Sequence, residues 1–207
     1  MKNLFDIEKK IILISGANGF LGRHLFEYIL KNNGTPILID IKNENILNSK
    51  FRKIIEKRNL YFEADITNKK EVQNVLKKIE IKFKKIDGLV NLAALAMTQM
   101  KNTKLFFESF EKYNFDLWKK SLDINLNGLF LITQQTARLM RKRKYGSIVN
   151  MSSDVSVISP DHSIYKPDRR TKYKGVKFNT PLAYVVSKTG ILGFTRYLAT
   201  YYATSNV

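Results

Sequence analysis

Ser15-Gly16-Ala17-Asn18-Gly19-Phe20-Leu21-Gly22 is the stretch that decides how this chain is read. It follows Ile11-Ile12-Leu13-Ile14, a short apolar run that suits a buried parallel strand. It leads into a helical pattern from Gly19 to Lys31, with Leu21, Leu25, Ile29 and Leu30 on one side. Glycines at 16, 19 and 22 allow a tight turn, close approach of the backbone to a ligand, and close helix–strand packing. The helix start offers free N–H groups and a favourable dipole to a pyrophosphate. Strand, glycine turn and helix in that order are the context a dinucleotide-binding motif requires, so Gly16, Asn18, Gly19, Phe20, Leu21 and Gly22 are candidate cofactor-binding residues.

Beyond the turn, strand and helix patterns alternate. Pro36 to Asp40 reads as a second strand, Glu44 to Lys57 as a basic amphipathic helix, and Leu60 to Glu63 as a third strand. Thr67 or Asn68 caps a helix to about Lys84, with Val72, Val75, Leu76 and Ile79 inward. Ile86 to Leu92 is a fourth strand, and Ala93 to Asn114 a polar and aromatic connection. A long helix runs from Phe115 to Arg143, followed by a fifth strand from Gly146 to Met151. Asp154 to Thr180 is a long loop, and Pro181 opens a last helix, where proline suits the first turn. Such alternation implies an α/β fold, a doubly wound parallel sheet in one domain spanning residues 1–207. Ligands of such sheets bind beyond the carboxyl ends of the strands.

The chemistry-bearing residues fall at those ends. Asp40 closes the second strand about twenty residues past the glycines, where an acid accepts hydrogen bonds from the adenine ribose and repels a 2′-phosphate. That favours NAD over NADP, although Lys42 stands close enough to hold a phosphate. Asp65 and Ile66, in Ala-Asp-Ile-Thr, are placed to meet the adenine. Tyr184 and Lys188 are four residues apart, on one face of the last helix. An ammonium beside a phenol stabilises phenolate, and such a tyrosine can pass a proton to and from a substrate oxygen.

Composition excludes several classes. The 207-residue chain is large enough for a real core, with an ordinary 44% hydrophobic content. It has no cysteine, which removes disulfides, thiolate metal sites and cysteine nucleophiles, and His24 and His162 are too isolated for a histidine-rich metal site. No apolar run reaches membrane-spanning length, and the first residues do not form a secretory signal, so a cytoplasmic location without membrane association is expected. The formal charge of +18 comes from lysines scattered over nearly every helix, with no dense basic arm or nucleic-acid motif; no nucleic-acid partner is expected. A positive field does attract phosphorylated or nucleotide-linked substrates.

Taken in order, the glycine turn, Asp40, Asp65, Asn91-Leu92-Ala93-Ala94, Asn125, Ser152-Ser153 and Tyr184/Lys188 resemble the short-chain dehydrogenase/reductase family over essentially the whole chain. The resemblance implies a Rossmann-type three-layer α/β/α fold and an NAD(P)-dependent oxidoreductase that interconverts a secondary alcohol and a ketone. It implies Tyr184 as catalytic acid/base and Lys188 as the residue that tunes it and holds the nicotinamide ribose. Ser153 would hydrogen-bond the reacting oxygen, with Ser152 the less fitting neighbour, and Asn125 would hold a water in the proton relay. Asn91, Ala93 and Ala94 join the cofactor-binding set, although the usual Asn-Asn-Ala-Gly appears here as Asn-Leu-Ala-Ala. Pairing into a homodimer through the long helix and the last helix is also implied.

The chain departs from the family pattern in three ways. Its glycine spacing resembles the extended branch, which includes sugar-nucleotide epimerases and dehydratases, whereas Asn125-Leu-Asn-Gly-Leu-Phe and Gly146-Ser-Ile-Val-Asn-Met-Ser-Ser resemble the simple oxidoreductases. The enlarged connections Met97–Asn114 and Asp154–Thr180 resemble a subgroup acting in bacterial surface-sugar and flagellin-glycan pathways of the legionaminic-acid type. Within the second, Lys166, Arg169, Arg170, Lys172, Lys174 and Lys177 would suit a sugar phosphate. Finally, the family pattern continues past Tyr197-Leu-Ala-Thr-Tyr-Tyr-Ala with a sixth strand, a substrate-covering segment and a seventh strand, so the sequence reads as C-terminally truncated. An oxidoreductase on a sugar or sugar phosphate is the expected function; an epimerase or dehydratase, or an inactive dinucleotide-binding fragment, are the alternatives.

Overall fold

A computed structural model of the chain describes residues 6–41, 51–95, 103–165, 172–173, 176–177 and 179–207. Five parallel strands, β1 (Ile11–Ser15), β2 (Thr35–Asp40), β3 (Tyr61–Glu63), β4 (Gly88–Asn91) and β5 (Ser147–Asn150), form a sheet in the order β3-β2-β1-β4-β5. The chain steps outward from β1 to β3, then crosses back to β4, so the sheet is doubly wound and its switch point lies between β1 and β4.

Side chains alternate along the strands and build two cores. Leu13, Ile37 and Ile39 face α3 (Lys69–Phe83) and α5 (Leu129–Arg143), where Val72, Val75, Leu76, Ile79, Ile132 and Met140 are buried. Ile14 and Leu38 face α1 (Phe20–Lys31) and α2 (Arg52–Arg58) through Phe26, Ile29 and Ile55. Helices on both faces give the expected three layers. The expected inner side of α1 is shifted: Leu21 is half exposed, and Phe26 takes the central buried place.

Asn68 caps α3, accepting from the N–H groups of Lys70 and Glu71. The expected continuous helix from Phe115 to Arg143 is interrupted. It begins as α4 (Phe115–Leu122), capped by Asn114, widens into a π-helical turn over Asp123–Gly128, and resumes as α5. π turns of this kind concentrate at functional sites, and this one contains Asn125. The connection before α4 holds two 3₁₀ turns, Thr103–Phe107 and Phe110–Lys112. Phe106 is buried there with Leu95 and Leu117.

The loop after β5 contains 3₁₀ turns at Asp154–Ser156 and His162–Ile164, and an antiparallel pair, β6 (Lys172–Tyr173) with β7 (Val176–Lys177), where the sequence suggested only loop. The last helix, α6 (Leu182–Tyr201), has Pro181 at its N-cap. After a 3₁₀ turn at Ala203–Ser205, Asn206 O accepts from Gly146 N at 3.2 Å and Val207 packs against the first core. No helix among the described residues is long and apolar enough to cross a membrane.

Candidate active site

β1 ends in Ser15, and Gly16 turns the chain with φ of +73°, a conformation that disfavours any side chain. A Cβ on Gly16 would lie 2.5 Å from Ala93 N, and one on Gly22 would lie 2.6 Å from Gly16 O. The two glycines therefore let β1, the β4 loop and α1 close on one another. Gly19 caps α1 without a side-chain hydrogen bond, leaving the first-turn N–H groups of Phe20, Leu21 and Gly22 without helical partners. The rings and methyls of Phe20 and Leu21 point to solvent, so their backbones are what this turn offers a ligand.

Beside the turn lies a cleft of about 300 Å³, lined by Gly16, Gly19, Asp40, Asp65, Ile66, Ala93, Ala94 and, from the other wall, Lys120 and Ile124. Asp40 Oδ2 accepts from Asn18 N at 2.8 Å and Oδ1 from Ile41 N at 2.7 Å, so backbone donors fix the carboxylate at the cleft edge. Tyr61 supports this corner: its hydroxyl accepts from Asn18 Nδ2 at 3.2 Å and donates to Asp40 O at 3.4 Å. Burial, Asp40 and Glu63 push the Tyr61 phenol well above the usual range. Asp65 Oδ1 accepts from both N and Oγ1 of Thr67 at 2.8 Å, so it orders the entry to α3 while lining the cleft. A cradle that two Cβ atoms would fill, an open helix start and a carboxylate held at the second strand end fit a dinucleotide.

Asn91 is not among the cleft-lining residues. It is buried at the end of β4, where Nδ2 donates to Thr133 Oγ1 at 2.9 Å and to Asn150 Oδ1 at 2.8 Å. Its Oδ1 accepts from Ser15 Oγ at 3.1 Å. The side chain joins the carboxyl ends of β1, β4 and β5 beneath the site.

Four residues suggested for catalysis sit on three elements. Tyr184 and Lys188 share a face of α6, with Lys188 Nζ 5.6 Å from the Tyr184 ring centroid. Lys188 is 5% exposed; its Nζ donates to Met151 O at 2.7 Å, and burial lowers its pKa. Asn125 is 1% exposed, accepting from Leu95 N at 2.8 Å and donating to Ser187 Oγ at 3.0 Å. Its side chain is thus a brace between the π turn, the β4 loop and α6. Of the two serines, Ser152 is tied to α6, 2.9 Å from Lys188 O. Ser153 Oγ donates to Asp154 Oδ1 at 2.8 Å, and this bond with the Val155 N–H holds the Asp154 carboxyl below the usual range.

A second cavity, of about 430 Å³, adjoins the first turn of α6. The 3₁₀ turns of residues 103–112 form one wall and the loop after β5 the other. No sequence signal marks this cavity or Lys120, and Ile124 directly precedes Asn125 in its motif without standing out. Lys42, Met97, Lys166, Arg169, Arg170 and Lys174 lie outside the described residues, as does the start of the helix expected from Glu44. No cluster of three metal-ligating side chains occurs among the described residues.

Comparison with known proteins agrees with this fold. The family model described as short chain dehydrogenase matches residues 10–166. Post-translational flagellin modification protein A of Campylobacter coli is 30% identical over 204 residues, covering 97% of this chain and 74% of that protein. An NAD-dependent glycerol dehydrogenase of Listeria innocua is 29% identical over 203 residues, covering 98% of this chain and 68% of its own length. A crystal structure of a short chain dehydrogenase from Leptospira borgpetersenii with bound NAD+ superposes with a TM-score of 0.77 at 30% identity, covering 99% of this chain and 70% of that one. The chain belongs to the short-chain dehydrogenase/reductase family. It is an oxidoreductase of that family, and its cofactor is a nicotinamide dinucleotide.

Proposed function

We propose that the protein interconverts a secondary alcohol and a ketone on a sugar or sugar phosphate, with NAD as cofactor. One observation carries the chemistry: the buried Lys188 ammonium is fixed by Met151 O and stands 5.6 Å from the ring of Tyr184, beyond the strand ends. When bound, a nicotinamide dinucleotide supplies the group that takes the hydride from the carbinol carbon or returns it. In oxidation Tyr184 accepts the hydroxyl proton, and in reduction it gives that proton to the carbonyl oxygen. Lys188 offers the phenolate its counter-charge, and Ser153 turns its hydroxyl from Asp154 to the substrate oxygen. Asn125 is a positioning residue, holding α6 and the β4 loop in register.

NAD rather than NADP is supported by Asp40, whose carboxylate is anchored by two backbone N–H groups and would face a 2′-phosphate with like charge. A role in surface-sugar modification is supported by the similarity to flagellin modification protein A. A homodimer is supported by the outer face of α5 and α6, where Phe130, Tyr197 and Tyr201 are exposed beside Phe194. The reading implies a cytoplasmic setting.

The test is NADH formation from a panel of polyols and sugars by the purified protein. NAD-dependent oxidation of at least one secondary alcohol is expected. Copurified NAD that is recycled without net NADH would point instead to an epimerase or dehydratase.

A further inference from the structure

The second cavity carries information about the substrate. Leu182 and Val185, in the first turn of α6, line it, so the cavity lies at the start of the helix that carries the proposed proton donor, Tyr184. Its walls are tied to that helix start. Asn179 Nδ2 donates to Phe107 O at 3.3 Å, and the hydroxyls of Tyr165 and Thr180 lie 2.8 Å apart.

Two features define what fits. First, Phe106, Phe110 and Pro160 present flat apolar surfaces, and Phe110 is 76% exposed. These suit the C–H face of a ring-shaped ligand. Second, the described polar groups include a carboxylate and an imidazole but no ammonium or guanidinium. Glu108 and His162 stand on opposite walls. The Tyr113 hydroxyl is buried, facing the Ala183 N–H without a hydrogen bond of ordinary geometry among the described residues, and burial raises its pKa. No lysine or arginine occurs among the described residues lining the cavity, although the chain carries 36 of them. A phosphate ester here would lose water, face the Glu108 carboxylate and meet no lysine or arginine among the described lining residues. A sugar hydroxyl would donate to Glu108 and lose little.

We propose that this cavity takes a neutral, polyhydroxylated ring, a free sugar or cyclic polyol, with its hydroxyls at Glu108 and His162 and its apolar face against Phe110. The proposal rests on the oxidoreductase reading and narrows it, setting the sugar phosphate aside.

Calorimetric titration of the NADH-loaded full chain tests it. The probes are glucose, N-acetylglucosamine and myo-inositol, each against its monophosphate ester. At least one neutral probe is expected to bind about tenfold or more tightly than its ester. Glu108→Gln and Phe110→Ala should each weaken that binding by about threefold or more, with NADH affinity unchanged. A tighter ester, no binding by any neutral probe, or wild-type binding by both variants would overturn the assignment. Turnover is measured separately. A ring sugar that binds here but is never oxidised counts against the redox reading and supports the cavity assignment. Oxidation of glycerol with no ring sugar bound does the reverse.

Discussion

Asn125 donates through Nδ2 to Ser187 Oγ at 3.0 Å, and with its other amide atom it accepts from Leu95 N at 2.8 Å. One buried side chain thereby holds the π turn, the β4 loop and the helix that carries Tyr184. Asn125→Ala leaves the Leu95 N–H unsatisfied inside the protein. A loss of about 1–3 kcal/mol in urea unfolding is expected, together with a fall in kcat larger than any rise in KM. Unchanged stability would show that the brace is not formed.

The glycines of the first turn should respond unequally. Gly16→Ala and Gly22→Ala drive a Cβ into backbone atoms at 2.5 and 2.6 Å, which calls for a shift of strand or helix. Each should cost about 1–3 kcal/mol and abolish measurable NADH binding by fluorescence. Gly19→Ala meets only Gly16 O at 3.2 Å and should retain binding. Equal effects at all three positions would contradict the cradle.

Cofactor choice should follow Asp40. Asp40→Ser removes a carboxylate held by Asn18 N and Ile41 N and exchanges its charge-assisted hydrogen bonds for weaker ones. NAD affinity is expected to fall by about tenfold, while NADP affinity rises. Tyr61→Phe, which deletes the hydroxyl between Asn18 and Asp40, should act in the same direction with a smaller effect. If both variants keep the wild-type preference, as measured by paired Kd values, selection lies elsewhere.

The far end of the sheet predicts acid sensitivity. Burial alone would raise the pKa of Asp87, but hydrogen bonds from Lys85 and Ile11 N, with Arg143 beside them, outweigh it and hold the carboxyl below the aspartate range. A depressed folded-state pKa means that the contribution is present above the ordinary aspartate range and is lost as pH falls through the folded value. Asp87→Asn should therefore lower stability at neutral pH by about 1–3 kcal/mol. It should also flatten the loss of thermal stability below about pH 4. An acid limb identical to wild type would exclude this carboxylate as its source.

The sheet was legible because each strand is a short apolar run closed by a turn residue, and the spacing of Val72, Val75, Leu76 and Ile79 marks a helix with one inner face. Gly16, Asp40, Asp65, Tyr184 and Lys188 stood out because a backbone turn, a strand end or a helical repeat fixes where each must lie. Other features carry no such signal. A π turn at Asp123–Gly128 keeps the apolar pattern of an α-helix, so the break around Asn125 is invisible in the sequence. Leu21 has the spacing of an inward residue, but the buried face of the helix runs through Gly22, Phe26 and Ile29 and leaves it half exposed. The β6–β7 pair is two residues per strand, too short for alternation to register. Asn91 was read for the cofactor because of its position in the motif; only its three bonds to Ser15, Thr133 and Asn150 reveal a brace below the cleft.

The central claim is that Tyr184, backed by Lys188, moves the proton. Its most direct test is Tyr184→Phe, assayed for kcat and for NADH Kd on the same preparation. Loss of the acid/base group should lower kcat by about a hundredfold or more, while Kd stays within about twofold of wild type because the glycine cradle and Asp40 are untouched. Turnover of more than a few per cent of wild type, with intact NADH binding, would contradict the account.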